Sequence, residues 1–377
     1  MGPVGIICEY TPLHLGHEKQ IRLIRENLGE DTVIVCAMSG NYVQRGYPAL
    51  LSKEARAKAA LLSGADLVLE LPAAYSLRSA EGFAEGGVEI LSACGAEKLC
   101  FGAEHPDRVL ETARLLDSPS FSGVLHGYLD TGLSFPAARA GALRFLGGEN
   151  LKSPNDILAV EYVRAIDRLH SPMEPMPIYR AGDYHREALE SEAPSATALR
   201  ALALQGESWL DWVPEAARES FRGQTLHDRA YGERAMLLRL RTMSEEEFEA
   251  LPFGSEGLWR RFMAACSREA ALEDILEAAK SKRYTRSRLD RMAMCAFLGI
   301  SEEKLREKAP YVRILTLNDK GREIVRKAKC RLVPAGTKTE GSYARDEERF
   351  EALYGLFAQG EPERPDRLSI SRVFYQP

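Results

Sequence analysis

Five short apolar runs, at residues 4–8, 32–38, 65–71, 98–102 and 176–179, alternate with stretches whose apolar residues recur at helical spacing. Continuous apolar strands separated by helices fit a parallel sheet covered on both faces. Right-handed crossovers then give an α/β, Rossmann-like doubly wound sheet, whose ligands sit beyond the carboxyl ends of the strands. After about residue 206 the strand signals fade. Residues 210–221, 229–241, 256–265, 269–279, 286–298 and 345–357 have helical character. A chain of 377 residues exceeds what one core usually covers. We therefore expect an α/β domain over residues 1–205 and a mostly α-helical domain over 206–377.

The first run leads into Thr11-Pro12-Leu13-His14-Leu15-Gly16-His17. Two imidazoles three residues apart, with a glycine between them, stand at a strand-to-helix turn. Displacement at an α-phosphate spreads negative charge over non-bridging oxygens, and imidazole donors aimed there stabilise the transition state. Gly16 permits close approach of backbone or base. The helix that follows adds amide donors and a positive dipole end. His-x-Gly-His in this position is a nucleotidyl-transfer signature, so His14 and His17 are the catalytic candidates.

Hydrophobic residues make up 45% and charged residues 28% of the chain, as in an ordinary globular protein. No apolar run reaches the ~18–20 residues needed to span a bilayer, and the N-terminus lacks a signal-type pattern, so we expect a cytoplasmic protein without a membrane partner. The seven cysteines form no Cys-x-x-Cys, which suggests buried thiols rather than a disulfide framework or a metal site. The net charge of −5 hides an asymmetry. Residues 280–331 hold 16 Lys and Arg against 6 Asp and Glu, a net of +10. A basic segment on an acidic chain suggests a polyanionic partner.

Two further helix starts carry polar groups. Ser153-Pro154-Asn155-Asp156 combines a Ser cap, Pro at the first position and an acid at the third. Ser195-Ala196-Thr197-Ala198-Leu199-Arg200 offers hydroxyls to phosphate at a helix start, with Arg200 one turn on. Nucleotidyltransferases of the His-x-Gly-His type pair their first motif with such a start.

The sequence resembles the bacterial tRNA(Met) cytidine acetate ligase family over most of its length. The matching residues include Gly5 to Tyr10, Pro12, His14, Gly16 and His17. The stretch from Met38 to Gly46, with Gly40-Asn41-Tyr42-Val43-Gln44-Arg45-Gly46, is the most selective. Glu70-Leu71-Pro72, Cys100 to Glu104, Ser153 to Leu158, Arg180 to His185 and Ser195 to Thr197 continue the pattern. Glu256-Gly257-Leu258 and Lys282-Arg283-Tyr284-Thr285 match in the helical part. Departures occur where relatives commonly carry Asn-Pro-Phe-His-Asn-Gly-His. Thr11, Leu13 and Leu15 stand for Asn, Phe and Asn, and Asp156 stands for a second Asn.

The resemblance implies an ATP site built from Ile7, Cys8, Glu9, Tyr10, Thr11, Pro12, Leu13, Gly16, Gln20, Gly102, Asn155, Arg180 and Ala181; Ser195, Thr197 and Arg200 complete it. Mg²⁺ would accompany the phosphates. It implies a two-step reaction: acetate attacks the ATP α-phosphate to give acetyl-adenylate, then N4 of cytidine 34 in elongator tRNA(Met) attacks the acetyl carbonyl. The sequence names no base for the second step; His185 is one candidate. Gln44, Arg45, Lys53 and Arg56 read as a polar, basic loop and helix suited to phosphate or RNA. Lys282, Arg283, Tyr284 and Arg286 read as tRNA contacts, with Tyr284 stacking on an unpaired base and Lys320 to Arg331 extending the surface. Two other classes use the same first motif: a small-molecule adenylyl- or cytidylyltransferase, and a non-catalytic RNA-binding protein on a relic nucleotide fold.

Overall fold

The computed structural model describes residues 2–133, 135–179, 194–281, 283–365 and 373–376. Its strands are β1 (Val4–Cys8), β2 (Ile34–Ser39), β3 (Tyr42–Val43), β4 (Tyr47–Pro48), β5 (Leu67–Leu71), β6 (Lys98–Ala103), β7 (Glu174–Tyr179), β8 (Val312–Leu317), β9 (Leu332–Pro334) and β10 (Phe374–Tyr375). The main sheet runs β10-β8-β5-β2-β1-β6-β7, with β9 also on β8. Neighbours from β5 to β7 pair in parallel, with Val4 opposite Ile34 and Cys8 opposite Met38. The chain builds outward from β1 through β2 to β5, then returns to lay β6 on the other side of β1. That reversal opens a crevice beyond the carboxyl ends of β1 and β6.

Side chains alternate along the strands. Ile7, Val35, Ala37 and Leu69 join an apolar layer with Phe83, Val88, Leu91 and Val160. Val4, Ile6, Cys8, Cys36 and Met38 join the opposite layer with Ile21 and Ile24 of the helix Leu15–Leu28. Burial on both faces is why these strands read as unbroken apolar runs. A third core lies among the later helices, around Met236, Leu240, Phe262, Ile275, Met292 and Phe357.

The α/β, doubly wound expectation holds, and the region after residue 206 is largely helical. The fading of strand signals there needs correction. Val312–Leu317 returns to the sheet and pairs antiparallel with β5, Val68 facing Thr316. β9 and β10 then follow in parallel along its far edge. Half-buried Arg313 and buried Thr316 break the apolar run of β8, which hides it from a pattern search.

Candidate active site

The turn after β1 presents the histidines. His14 caps the helix Leu15–Leu28, and its Nδ1 accepts the Gly16 amide at 3.1 Å. The His14 amide in turn donates to His17 Nδ1 at 3.2 Å. A nitrogen that accepts a backbone N–H carries no proton, so both rings are neutral and hold their proton on Nε2. The helix cap therefore sets two imidazoles as N–H donors. Their centroids lie 3.9 Å apart, and Tyr10 meets His17 edge-on at 4.9 Å. Gly16 is needed for a reason the sequence did not reveal: a Cβ there would sit 2.8 Å from His14 Cε1. The glycine makes room for the His14 ring itself.

A cleft of ≈ 1010 Å³ opens over this turn. His14, His17, Ile7, Cys8, Glu9, Tyr10, Thr11, Gly16, Gln20, Gly102, Asn155, Ser195, Thr197 and Arg200 all line it, as do Gln44 and Arg45. Pro12 and Leu13 do not. Leu13 is fully buried in the apolar layer beneath, so its replacement of Phe alters packing rather than the cleft wall. Thr11 accepts the Leu50 amide on its hydroxyl at 2.9 Å, a bond that an Asn carbonyl could also make. Arg180, Ala181, His185 and Lys282 lie outside the described residues.

Side chains from distant segments tie the cleft together. Arg200 donates to the Thr11 carbonyl at 3.0 Å and to the Thr197 hydroxyl at 2.9 Å, so the helix Ala196–Gln205 grips the histidine turn. Gln20 donates to the Cys100 carbonyl at 3.3 Å, joining the helix Leu15–Leu28 to β6. Glu9 accepts the Gln44 amide at 2.7 Å. Burial raises the Glu9 pKa, even though the Gln44 amide and Arg200, Arg45 and Arg56 act to lower it.

Asp156 gives its departure from the family pattern a physical role. It is buried, and its carboxylate accepts the Glu104 amide (2.9 Å), the His105 amide (3.2 Å) and His105 Nδ1 (2.8 Å). The end of β6 is thereby pinned to the helix Pro154–Arg168. The bond to Asp156 raises the His105 pKa. Burial opposes the charge on Asp156, but the bonds it accepts outweigh this and lower its pKa. The lowered carboxyl contributes stability above about pH 4, lost as pH falls through its pKa; the raised imidazole contributes fully below about pH 6.5, lost as pH rises through its own. The stability gap between wild type and Asp156→Asn should therefore be widest between about pH 4 and 6.5 and narrow above it. Urea midpoints at pH 5.5 and 8.5 test this, and a gap that is equal at both would contradict it.

Four basic-site expectations are corrected. Arg56 is fully buried and donates to the carbonyls of Leu51 (2.9 Å), Glu9 (2.7 Å), Ser39 (3.0 Å) and Gly40. Lys53 is enclosed by Glu70, at 2.9 Å, and Glu351. Both are internal struts, out of reach of RNA. Tyr284 is buried, with its hydroxyl on the Glu256 carbonyl at 2.8 Å, so no base stacks on it without displacing the core. Arg286 is occupied by Glu273, Glu277 and Asp290. Arg283 is exposed and pairs with Glu256 at 2.7 Å. None of these three lines the cleft.

Sequence reasoning missed Tyr47, Asp228 and Arg229 on the cleft wall. Gly46, at φ +78°, lets the β3–β4 hairpin press on the helix Arg286–Leu298, where a Cβ would lie 2.5 Å from the Asp290 backbone. Arg229 sits over the Tyr47 ring at 4.9 Å. No local signal links these residues; only the stretch Gly40 to Gly46 hinted that the hairpin mattered.

The family model described as HIGH Nucleotidyl Transferase matches residues 1–354. A tRNA(Met) cytidine acetate ligase of Clostridium perfringens is 36% identical over 354 residues, 87% of each chain. One of Acetivibrio thermocellus is 35% identical over 359 residues, 87% of this chain and 86% of the relative. The crystal structure of Thermotoga maritima TmcAL, apo form I, superposes with a TM-score of 0.89 at 30% identity over the whole of both chains. The form bound with alpha-thio ATP gives 0.86, again at 30% identity and full coverage.

Proposed function

This chain belongs to the tRNA(Met) cytidine acetate ligase family, within the HIGH nucleotidyl transferases, and we propose on that premise that it activates acetate with ATP and acetylates N4 of the wobble cytidine of elongator tRNA(Met). The observation that carries this reading is the pair of Nε2–H donors at a helix N-terminus on the switch-point crevice, in a chain similar along its whole length to these ligases.

In the first step an acetate oxygen attacks the ATP α-phosphorus and diphosphate leaves. Acetate is already ionised at neutral pH, so the step needs charge stabilisation and placement rather than a base. His14 and His17 supply two donors, and the amides opening the helix Leu15–Leu28 supply positive potential. Arg200 and Thr197, on the helix that grips the histidine turn, line the same cleft. A Mg²⁺ carried by ATP takes most of its ligands from phosphate and water, and the hydroxyls of Ser195 and Thr197 suit such an ion; it would neutralise charge on the phosphates. In the second step cytosine N4 attacks the acetyl carbonyl and AMP leaves. An unpaired wobble base enters a pocket without the cost of leaving a duplex. Gln44 and Arg45 at the cleft, with Arg283 and its sequence neighbour Lys282, are the tRNA contacts we retain. The division at residue 205 remains our functional division, with the helical body as the tRNA-binding part.

No helix of the described residues is long and apolar enough to cross a membrane, and we place the protein in the cytoplasm with its tRNA. Incubation with ATP, acetate and bulk tRNA, followed by nucleoside mass analysis, should yield N4-acetylcytidine. Product that forms without acetate, or no product while a phosphomonoester supports pyrophosphate exchange, would sink the reading in favour of a small-molecule nucleotidyltransferase.

A further inference from the structure

The second half-reaction needs a proton acceptor. The N4 lone pair of cytosine is delocalised into the ring, and N4 must lose a proton as the amide forms. His14 and His17 are poorly suited, because their Nδ1 atoms are taken by backbone N–H groups and their Nε2 atoms carry protons. Glu104, beyond β6, has one oxygen on the Ser153 hydroxyl and the other on the Asn155 amide at 2.7 Å.

Glu9 differs from these. It is the first residue after β1, opening the stretch that leads into the histidine turn, and it lines the cleft beside the hairpin Tyr42–Pro48. Oε1 accepts the Gln44 amide at 2.7 Å and the Ser39 hydroxyl at 3.4 Å. Oε2 takes no hydrogen bond from the described residues. Arg56 holds the Glu9 carbonyl at 2.7 Å. Backbone and one carboxylate oxygen are thus clamped, and the second oxygen is left for a ligand.

Resting on the ligase reading above, we propose that Glu9 is the general base of acetyl transfer. N4 forms a bond to the acetyl carbonyl carbon. The bond from that carbon to the phosphate oxygen breaks, and its electron pair leaves with AMP. The N4 proton passes to Glu9 Oε2 and is later released to water. A carboxylate accepting from N4–H is also the natural reader of cytosine at that edge. Burial, which raises the Glu9 pKa, makes it a stronger base; Arg45 from the hairpin, Arg56 from the helix Lys53–Leu62 and Arg200 from the helix Ala196–Gln205 work against this. Tyr162, from the helix Pro154–Arg168, also senses its charge.

Glu9→Gln tests the assignment, because the amide oxygen still accepts from Gln44 while the base is lost. Acetate-dependent ATP–pyrophosphate exchange and single-turnover acetyl transfer to tRNA are measured on the same preparations between pH 5 and 8.5. Transfer should fall about 100-fold more than exchange. The wild-type transfer rate should rise with pH through the Glu9 ionisation, and Glu9→Gln should lose that limb. Glu9→Asp should recover part of the rate and keep the limb. Equal loss of both half-reactions, or a limb that survives in Glu9→Gln, would overturn the proposal. A wild-type protein with no acetate-dependent exchange would instead refute the ligase reading on which it rests.

Discussion

His14→Asn is expected to reduce acetate-dependent ATP–pyrophosphate exchange by about 10²–10³-fold while leaving the fold nearly as stable as before. The two effects separate because one ring has two jobs. Its Nδ1 caps the helix Leu15–Leu28 by accepting the Gly16 amide. Asn is among the preferred N-cap residues, and its side-chain oxygen takes over that bond at a cost of no more than about 1 kcal/mol. The other job is lost. Asn does not reach where the imidazole Nε2–H points, and the 3.9 Å ring contact that orients His17 disappears. Removing one donor from a preorganised anion-stabilising set typically costs ~3–4 kcal/mol of barrier. A variant that keeps its melting temperature but exchanges within a few-fold of wild type would show the turn to be a helix cap and nothing more.

The largest effect on stability should come from Arg56. Its guanidinium spans four backbone carbonyls, those of Glu9, Ser39, Gly40 and Leu51, in a site with no solvent contact. Those of Glu9, Ser39 and Gly40 lie where β1 and β2 end and the cleft begins, and that of Leu51 lies just before the helix Lys53–Leu62, so one side chain satisfies backbone that the sheet leaves unpaired. Arg56→Met fills much of the volume yet strands those acceptors. Each unsatisfied buried acceptor costs ~1–3 kcal/mol, partly offset because a buried charge is also removed. We expect a net loss of about 3–5 kcal/mol, a large share of the stability of a typical chain. Arg56→Lys should fall between, since an ammonium reaches fewer of the four. Urea unfolding with an unchanged slope and a lower midpoint is the expected result. A midpoint shift worth under about 1 kcal/mol would mean that water replaces the guanidinium.

Much of the site was legible because its parts are local. A strand, a turn with two histidines and a capped helix lie within the first 28 residues, and the topology of parallel strands fixes which end of the sheet binds ligand. Basic residues misled for a general reason. Charge on a sequence does not say whether the side chain meets solvent or a carbonyl. Lys53, Arg56, Arg286 and Tyr284 all read as RNA contacts, and each is occupied inside the protein. Arg283, by contrast, lies on the surface, where solvent reaches it readily.

By itself the sequence determined the elements and the kind of chemistry. Periodicity gave β1, β2, β5, β6 and β7, and the spacing of His14, Gly16 and His17 gave phosphate chemistry at the first crossover. These follow from short-range rules: side-chain alternation, helix capping and the reach of one turn. The tertiary structure alone decided that β8, some 240 residues downstream, closes the sheet beside β5, and that Arg200 grips Thr11 across 189 residues. It also decided the protonation pattern of the histidines, which depends on backbone amides that only the folded helix places, and the isolation of Glu9 Oε2, which depends on Gln44 and Ser39 arriving from another strand and loop. Contacts of that range leave no periodic trace in a sequence, because their geometry is set by how whole elements pack and not by neighbours along the chain.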